Sequence, residues 1–294
     1  MSGFTPFINK RRAFLKNAFS LAGLYLLSPL AKATTLINNN STTLKKEIKM
    51  IQVLKKEDQF NRTIFNGNFI ANKPVASGAQ DNVKPYSSLF YWSHARAIDQ
   101  CEFGLHPHEG FEIMTFVLEG SVSHYDTATA VWTPLDAGDF QVIQSNSGIQ
   151  HSERITKGTR NFQIWFDPNF YEAVKKAPSY TDYHSKDFKS IIENGIKTII
   201  YVGEGSIANV LTPGLSIKRL FFDKKSKYIL QLNKNSSYTF YVLKGDTVID
   251  GNALTSDDAV RISNLENLEV EFEIDGELFY IETPSVPNYK MVWS

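Results

Sequence analysis

Phe116-Val117-Leu118-Glu119-Gly120-Ser121-Val122 returns further along the chain as Tyr241-Val242-Leu243-Lys244-Gly245-Asp246-Thr247. In both places a polar turn and an Ala-Gly-Asp-like step follow, Leu135-Asp136-Ala137-Gly138-Asp139-Phe140-Gln141-Val142-Ile143 and Ser256-Asp257-Asp258-Ala259-Val260-Arg261-Ile262. Each copy is a β-branched and aromatic run closed by glycine, the text of a strand and a tight turn. Two copies of one unit point to a duplicated β-barrel rather than one large sandwich. The rest of the chain beyond Met50 agrees, with short runs of Val, Ile, Phe, Tyr and Thr broken by Gly, Asn, Asp and Pro. Thr63-Ile64-Phe65 and Phe69-Ile70 flank Asn66-Gly67-Asn68, a step suited to a hairpin turn. Helical periodicity is confined to about Asn169 to Lys176 and Asp187 to Glu193, where the linker between the two units is expected.

The 294 residues are 42% hydrophobic and 21% charged, which excludes collagen, coiled-coil and low-complexity classes. Thirty-one basic residues balance 31 acidic ones, so no basic stripe marks a nucleic-acid partner. Cys101 is the single cysteine, which excludes an intramolecular disulfide and a CxxC site.

The first 33 residues are of another kind. They carry Lys10, Arg11, Arg12, Lys16 and Lys32 without an acidic residue. Asn9-Lys10-Arg11-Arg12-Ala13-Phe14-Leu15-Lys16 resembles a twin-arginine export signal, with Lys10 in place of the usual Ser or Thr. The apolar run from Ala18 to Leu27 is short for a spanning helix, and Ala31-Lys32-Ala33 fits the small-x-small cleavage rule. Export to the periplasm is expected, against the alternatives of a basic amphipathic start or an uncleaved anchor. That route carries folded proteins and so suits one that acquires a metal before export, although a fast-folding protein without cofactor could use it too. Residues 34–49 are polar and read as a tether.

Six histidines are present, none in the second copy. His106-Pro107-His108 places two imidazoles on one face of a strand, and His151-Ser152-Glu153 does the same for an imidazole and a carboxylate. Two such pairs on facing strands give a site of three histidines and one glutamate. That donor set suits a first-row divalent metal, Fe(II) above all with Mn, Ni, Cu and Zn as alternatives, and leaves positions open for substrate and dioxygen. Glu112, four residues after His108, competes with Glu153 and ranks second because Gly110 can disturb the alternation. His94 and His184 read as structural or exposed. His124 reads as without a part in the centre, a supporting position being the other option.

His106-Pro107-His108-Glu109-Gly110-Phe111-Glu112-Ile113-Met114-Thr115-Phe116-Val117-Leu118-Glu119-Gly120, followed downstream by Gly148-Ile149-Gln150-His151-Ser152-Glu153, resembles the signature of the pirin family of bicupins. The likeness covers most of Met50 to Trp293. It implies an all-β fold of two tandem cupin, jelly-roll-like barrels with a short helical linker. The boundaries that follow are 50–170 for a metal-binding cupin, 171–195 for the linker and 196–294 for a metal-free cupin. It implies His106, His108, His151 and Glu153 as ligands of iron, and an activity like that of quercetin 2,3-dioxygenases, with Glu153 as general base toward an enolic, flavonol-like substrate. The family's nuclear transcription cofactors do not fit an exported chain. Asn146 stands where glycine is common, and Glu109 where arginine is common, which reverses a charge near the pocket mouth.

Counting from the glycines sets Gln231 and Asn233 opposite His106 and His108, while the Ile143/Ile262 match sets Val270 and Phe272 opposite His151 and Glu153, so the second unit is expected to hold no metal. Phe111, Phe116 and Trp165 are candidates for apolar pocket walls, with plain core as their commoner fate. Cys101 reads as a buried filler. The competing functional reading is a non-enzymatic periplasmic metal-binding cupin serving as sensor or partner-binding module; another cupin reaction, keto-sugar isomerisation or thiol oxidation, ranks third. The expected partners are a small enolic aromatic, dioxygen and the export machinery, with the protein itself a monomer.

Overall fold

In the computed structural model, residues 49–78 and 81–292 are described, so the export signal lies outside the described residues, as does all but the last residue of the tether. The first strands are β1 (Met50–Leu54), β2 (Phe60–Ile64), β3 (Phe69–Ala76), β4 (Leu89–Ala97), β5 (Cys101–His108) and β6 (Glu112–Glu119). There follow β7 (Ser121–Asp126), β8 (Trp132–Asp136), β9 (Phe140–Gln144), β10 (Ile149–Ile155), β11 (Arg160–Phe166), the single-turn helix α1 (Phe170–Ala173) and β12 (Ser179–Tyr183). The second half holds β13 (Ser190–Glu193), β14 (Ile196–Val202), β15 (Ser216–Phe222), β16 (Ser226–Gln231) and β17 (Ser236–Lys244). It ends with β18 (Thr247–Ile249), β19 (Asn252–Leu254), β20 (Ala259–Ser263), β21 (Asn267–Phe272) and β22 (Gly276–Pro284).

The duplication seen in the sequence is a duplication of topology. One seven-stranded sheet runs β12-β9-β6-β11-β4-β3-β2 and the other β1-β20-β17-β22-β15-β14-β13, and each faces a four-stranded sheet, β5-β10-β7-β8 or β16-β21-β18-β19. Each unit is therefore a two-sheet jelly roll and not a closed barrel. The repeated glycines end equivalent strands. Gly120 and Gly245 both have left-handed φ, +73° and +84°, and a side chain on Gly120 would strike Thr159.

Three expectations need correction. The first strand beyond the tether does not join the first unit: β1 pairs with β20, in the place that β12 takes beside β9. The linker is mostly extended. Only Phe170–Ala173 is α-helical, Ser185–Asp187 makes a single 3-10 turn, and the second expected helix contains β13, because Ile191 and Ile192 find a partner strand in β14. Lastly, the strand register sets Tyr228 and Leu230, rather than Gln231 and Asn233, where His106 and His108 stand. Val270 pairs with Tyr228 as His151 pairs with His106, and Leu268 pairs with Leu230 as Ile149 pairs with His108. The offset arises in the turn between β16 and β17, whose length differs from that between β5 and β6. Leu268, Val270 and Phe272 pack in the apolar core of the second jelly roll, with Tyr228 and Leu230 against them, so apolar side chains fill the space that the histidines occupy in the first.

The two seven-stranded sheets pack back to back. Between them lies the largest core, in which Trp92, Phe116, Phe140 and Phe162 of one unit meet Tyr201, Tyr241 and Phe279 of the other. Phe116 stacks on Phe140 at 4.3 Å and lies 5.0 Å from Phe279, so it is interface core and not pocket wall. The expected hairpin forms, with Ile64 paired to Phe69 across Phe65 to Asn68. Asn146 takes a left-handed φ of +43° as required, and its amide donates to the Ala177 carbonyl at 2.8 Å.

Candidate metal centre

β5 and β10 are neighbours, and their pairing sets His106 directly opposite His151. Alternation then brings His108 and Glu153 to the same interior face. The imidazole centroids of His106, His108 and His151 lie 5.0, 4.3 and 4.8 Å apart, and one nitrogen from each falls within 4.8 Å of the others. His108 and His151 are buried, and none of their four ring nitrogens has a hydrogen-bond partner. Orphaned buried polar atoms cost about 1–3 kcal/mol each, so this convergence is unfavourable without a further group to satisfy it. A cation is such a group. His106, less buried, engages the Gly104 carbonyl through Nδ1 at 2.8 Å, which leaves Nε2 as its ligating atom.

The electrostatics favour the ligating protonation states. Burial, followed by the neighbouring His106, holds His108 down at about 3, and burial with the surrounding imidazoles holds His151 well below its ordinary value. For Glu153 burial pulls the other way, yet the adjacent imidazoles, His124 first, keep the carboxyl below its usual range and ionised. Burial and the Glu153 charge push the Cys101 thiol up to about 11. It packs against the apolar cluster of Phe69, Ala95 and Val122, as a filler would, and the donor set stays nitrogen and oxygen.

His124 takes the supporting position beside the centre rather than standing apart from it. Its ring is buried and parallel to that of His151 at 5.5 Å, and its Nε2 lies 2.7 Å from Glu153 Oε1. Gln163, on β11, donates to the same oxygen at 2.7 Å. Two donors on Oε1 orient the carboxylate and direct its other oxygen elsewhere. The His124 position was legible, because β7 alternates Val122, His124 and Asp126 inward with Ser121, Ser123 and Tyr125 outward. Gln163 carried no such signal, since the central strand β11 is covered on both faces.

Glu112 is excluded from this centre by its own strand. It lies on the other face of β6, where its carboxylate accepts from the Thr212 amide at 2.8 Å, the Thr212 hydroxyl, the Leu211 amide and the Gln144 side chain. It clasps the loop between β14 and β15. Gly110 turns the chain between His108 and Glu112 with a φ of +79°, and a Cβ there would lie 2.2 Å from the Phe170 ring. His94, buried, bonds Tyr241 at 2.9 Å, and His184 reaches Asp139 at 3.2 Å, so both serve structure. Of the aromatic candidates Trp165 borders the centre, 5.0 Å edge-on to His108, while Phe111 packs behind it on Phe90 and Phe170.

A jelly roll pair with an imidazole-rich metal centre in one half defines a bicupin. The Pirin family model matches residues 72–166, which run from within β3 to the end of β11. The chain is 25% identical over 187 residues to an Escherichia coli quercetin 2,3-dioxygenase, covering 63% of this chain and 77% of the relative. It is 34% identical over 107 residues to a pirin-like protein of Caulobacter vibrioides, 36% of this chain and 44% of that one. A bacterial pirin from Escherichia coli, crystallised with nickel(II), superposes with a TM-score of 0.67 at 22% identity, over 80% of this chain and 99% of that one. Over residues 72–166 the chain matches the pirin family, and its two-jelly-roll fold is that of the solved pirin.

Proposed function

We propose that the protein is a metal-dependent dioxygenase that oxygenates an enolic, flavonol-like aromatic, with His106, His108, His151 and Glu153 holding ferrous iron. The observation that carries this reading is the convergence of three imidazoles, two of them, His108 and His151, buried with no partner for any ring nitrogen. The quercetin 2,3-dioxygenase name of the Escherichia coli relative and the nickel(II) of the pirin structure support it. Ferrous iron there would supply Lewis acidity toward an enol oxygen and redox chemistry toward dioxygen. The protein's own part is positional and electrostatic. Glu153, ionised and buried, is the general base toward the enol proton, with His124 and Gln163 fixing the orientation of its carboxylate. Trp165 offers a flat apolar wall beside His108 for the aromatic rings.

Metal analysis followed by anaerobic addition of quercetin, then oxygen, tests this. Stoichiometric iron with a red-shifted chelate that bleaches on oxygenation is the expected result. Iron without chelation would instead favour a metal-binding module, and full iron occupancy in His108→Ala or His151→Ala would refute the ligand set.

We further propose that residues 1–33 send the folded protein through the twin-arginine route to the periplasm, where it acts as a monomer. The arginine pair and the Ala31-Lys32-Ala33 step support this. Replacing Arg11 and Arg12 by lysine should leave uncleaved precursor in the cytoplasm; unchanged periplasmic yield would refute the assignment. Light scattering of the exported protein checks the monomer.

A further inference from the structure

Strand β3 carries a lysine in an unusual place. Ahead of it Ala71 packs into the interior of the first jelly roll, and after it Val75 packs into the core between the two sheets. The side-chain alternation is broken between them by a bulge, where the register with β4 shifts between Asn72 and Val75. Pro74 lies within the bulge, where no ladder hydrogen bond is asked of it. Lys73, two residues after Ala71 and still in register with Phe60 of β2, keeps the face of Ala71, and the bulge re-aims the chain after it. The residue is 5% exposed, and its ammonium sits 4.6 Å from the Tyr91 ring centre and 5.7 Å from that of Phe60.

Tyr91 in turn stacks on Trp165 at 4.4 Å and 25°, and Trp165 meets His108 at 5.0 Å. Lys73 is thus tied to the metal centre by three successive contacts. Among the described residues no carboxylate pairs with Lys73, whereas Lys55, Lys56 and Arg96 nearby all find Asp257 or Asp258. Aromatic faces offset part of the cost of burying an ammonium group, but they leave its charge uncompensated. A buried cation without a counter-ion beside a binding centre is complementary to an anionic ligand.

We propose that Lys73, with Tyr91 and Trp165 beside it, forms an anion subsite that takes the carboxylate of a planar aromatic molecule. The far end of that molecule then reaches the three histidines, which rests on the reading of the centre given above. Substrate choice follows: aromatic acids are favoured over their neutral counterparts.

The test uses the full exported protein and two probes of equal shape, 2-naphthoate and the neutral 2-naphthamide, titrated by calorimetry. A charge-assisted contact predicts that naphthoate binds about tenfold to a hundredfold tighter than the amide. Lys73→Met, which keeps length and loses charge, removes that preference, and Lys73→Arg retains most of it. Equal affinities of the two probes for the wild-type protein overturn the subsite without recourse to any variant. So does unchanged naphthoate affinity in Lys73→Met. A second pair, 3-hydroxyflavone and its 4′-carboxylate, added to nickel-loaded protein, separates this from the chelation reading. Charge preference for naphthoate with no flavonol absorption shift refutes chelation alone, and a shift with no dependence on Lys73 refutes the subsite alone.

Discussion

His124 Nε2 and Glu153 Oε1 stand 2.7 Å apart with both side chains sealed from water. At that distance from an ionised carboxylate the nitrogen carries the proton, so the contact fixes the tautomer of one residue and the orientation of the other. Outer partners of this kind are worth about tenfold to a hundredfold in metal affinity. His124→Phe should therefore weaken cobalt(II) or iron(II) binding by about that factor, measured by competition with a chelator, and should alter the d–d spectrum of the cobalt form. His124→Gln, whose amide can also donate, should recover part of the loss. Wild-type affinity and spectrum in His124→Phe would show Glu153 to be oriented by other means.

The two glutamates that compete in the sequence should part cleanly in experiment. Glu112→Ala leaves the Leu211 and Thr212 amides and the Thr212 hydroxyl without their buried acceptor. The expected cost is about 3 kcal/mol or more in urea unfolding, at roughly 1–3 kcal/mol per stranded group. Metal content after dialysis should stay at the wild-type level. Glu153→Ala should do the reverse, losing metal with a smaller change in urea midpoint. Loss of metal from Glu112→Ala at unchanged stability would reverse the assignment.

The same pair shows how far sequence reached and where it stopped. Period-two alternation with the His-x-His and His-x-Glu spacing brought the candidate ligands to one face, because strand geometry is local and rigid. Alternation cannot report on a strand buried on both sides, which is why Gln163 was silent and Phe116 was open to a pocket reading. Nor does it reach across lobes. That β1 belongs beside β20 depends on contacts some two hundred residues apart in the chain. The register of the second unit failed for a related reason, since counting through a turn assumes equal turn lengths and only the ladder itself fixes which residues face each other.

Phe116 illustrates the energetic side of that reassignment. It is 2% exposed and lies in the seam between sheets, stacked on Phe140 and edge-on to Tyr201 and Phe279. Phe116→Ala should cost about 3–5 kcal/mol by the lost burial and the cavity left behind. Probe affinity and metal content at temperatures well below unfolding should be unaltered. Trp165→Ala is the contrasting variant, with weaker aromatic binding, as read by calorimetry, and a smaller loss of stability from its half-buried site.

The seam also sets a pH dependence. Asp257 is held by Lys56 at 2.7 Å and Arg96 at 2.9 Å and lies 3.1 Å from His94, so it joins the second lobe to the first. Burial raises its pKa, but His94 and Lys56 outweigh burial and hold the carboxyl far below the ordinary range. A carboxyl depressed in the folded state contributes stability in full above its unfolded pKa, about 3.9, and loses it as pH falls through and below that value. Urea midpoints of the wild type should therefore drop steeply from about pH 4 downward. Asp257→Asn should be less stable at pH 7 and should show a shallower acid slope. Asparagine also tolerates the left-handed φ of +75° at this position, so the difference reports charge and not backbone strain. Parallel acid slopes for the two proteins would place the acid sensitivity in other carboxyl groups.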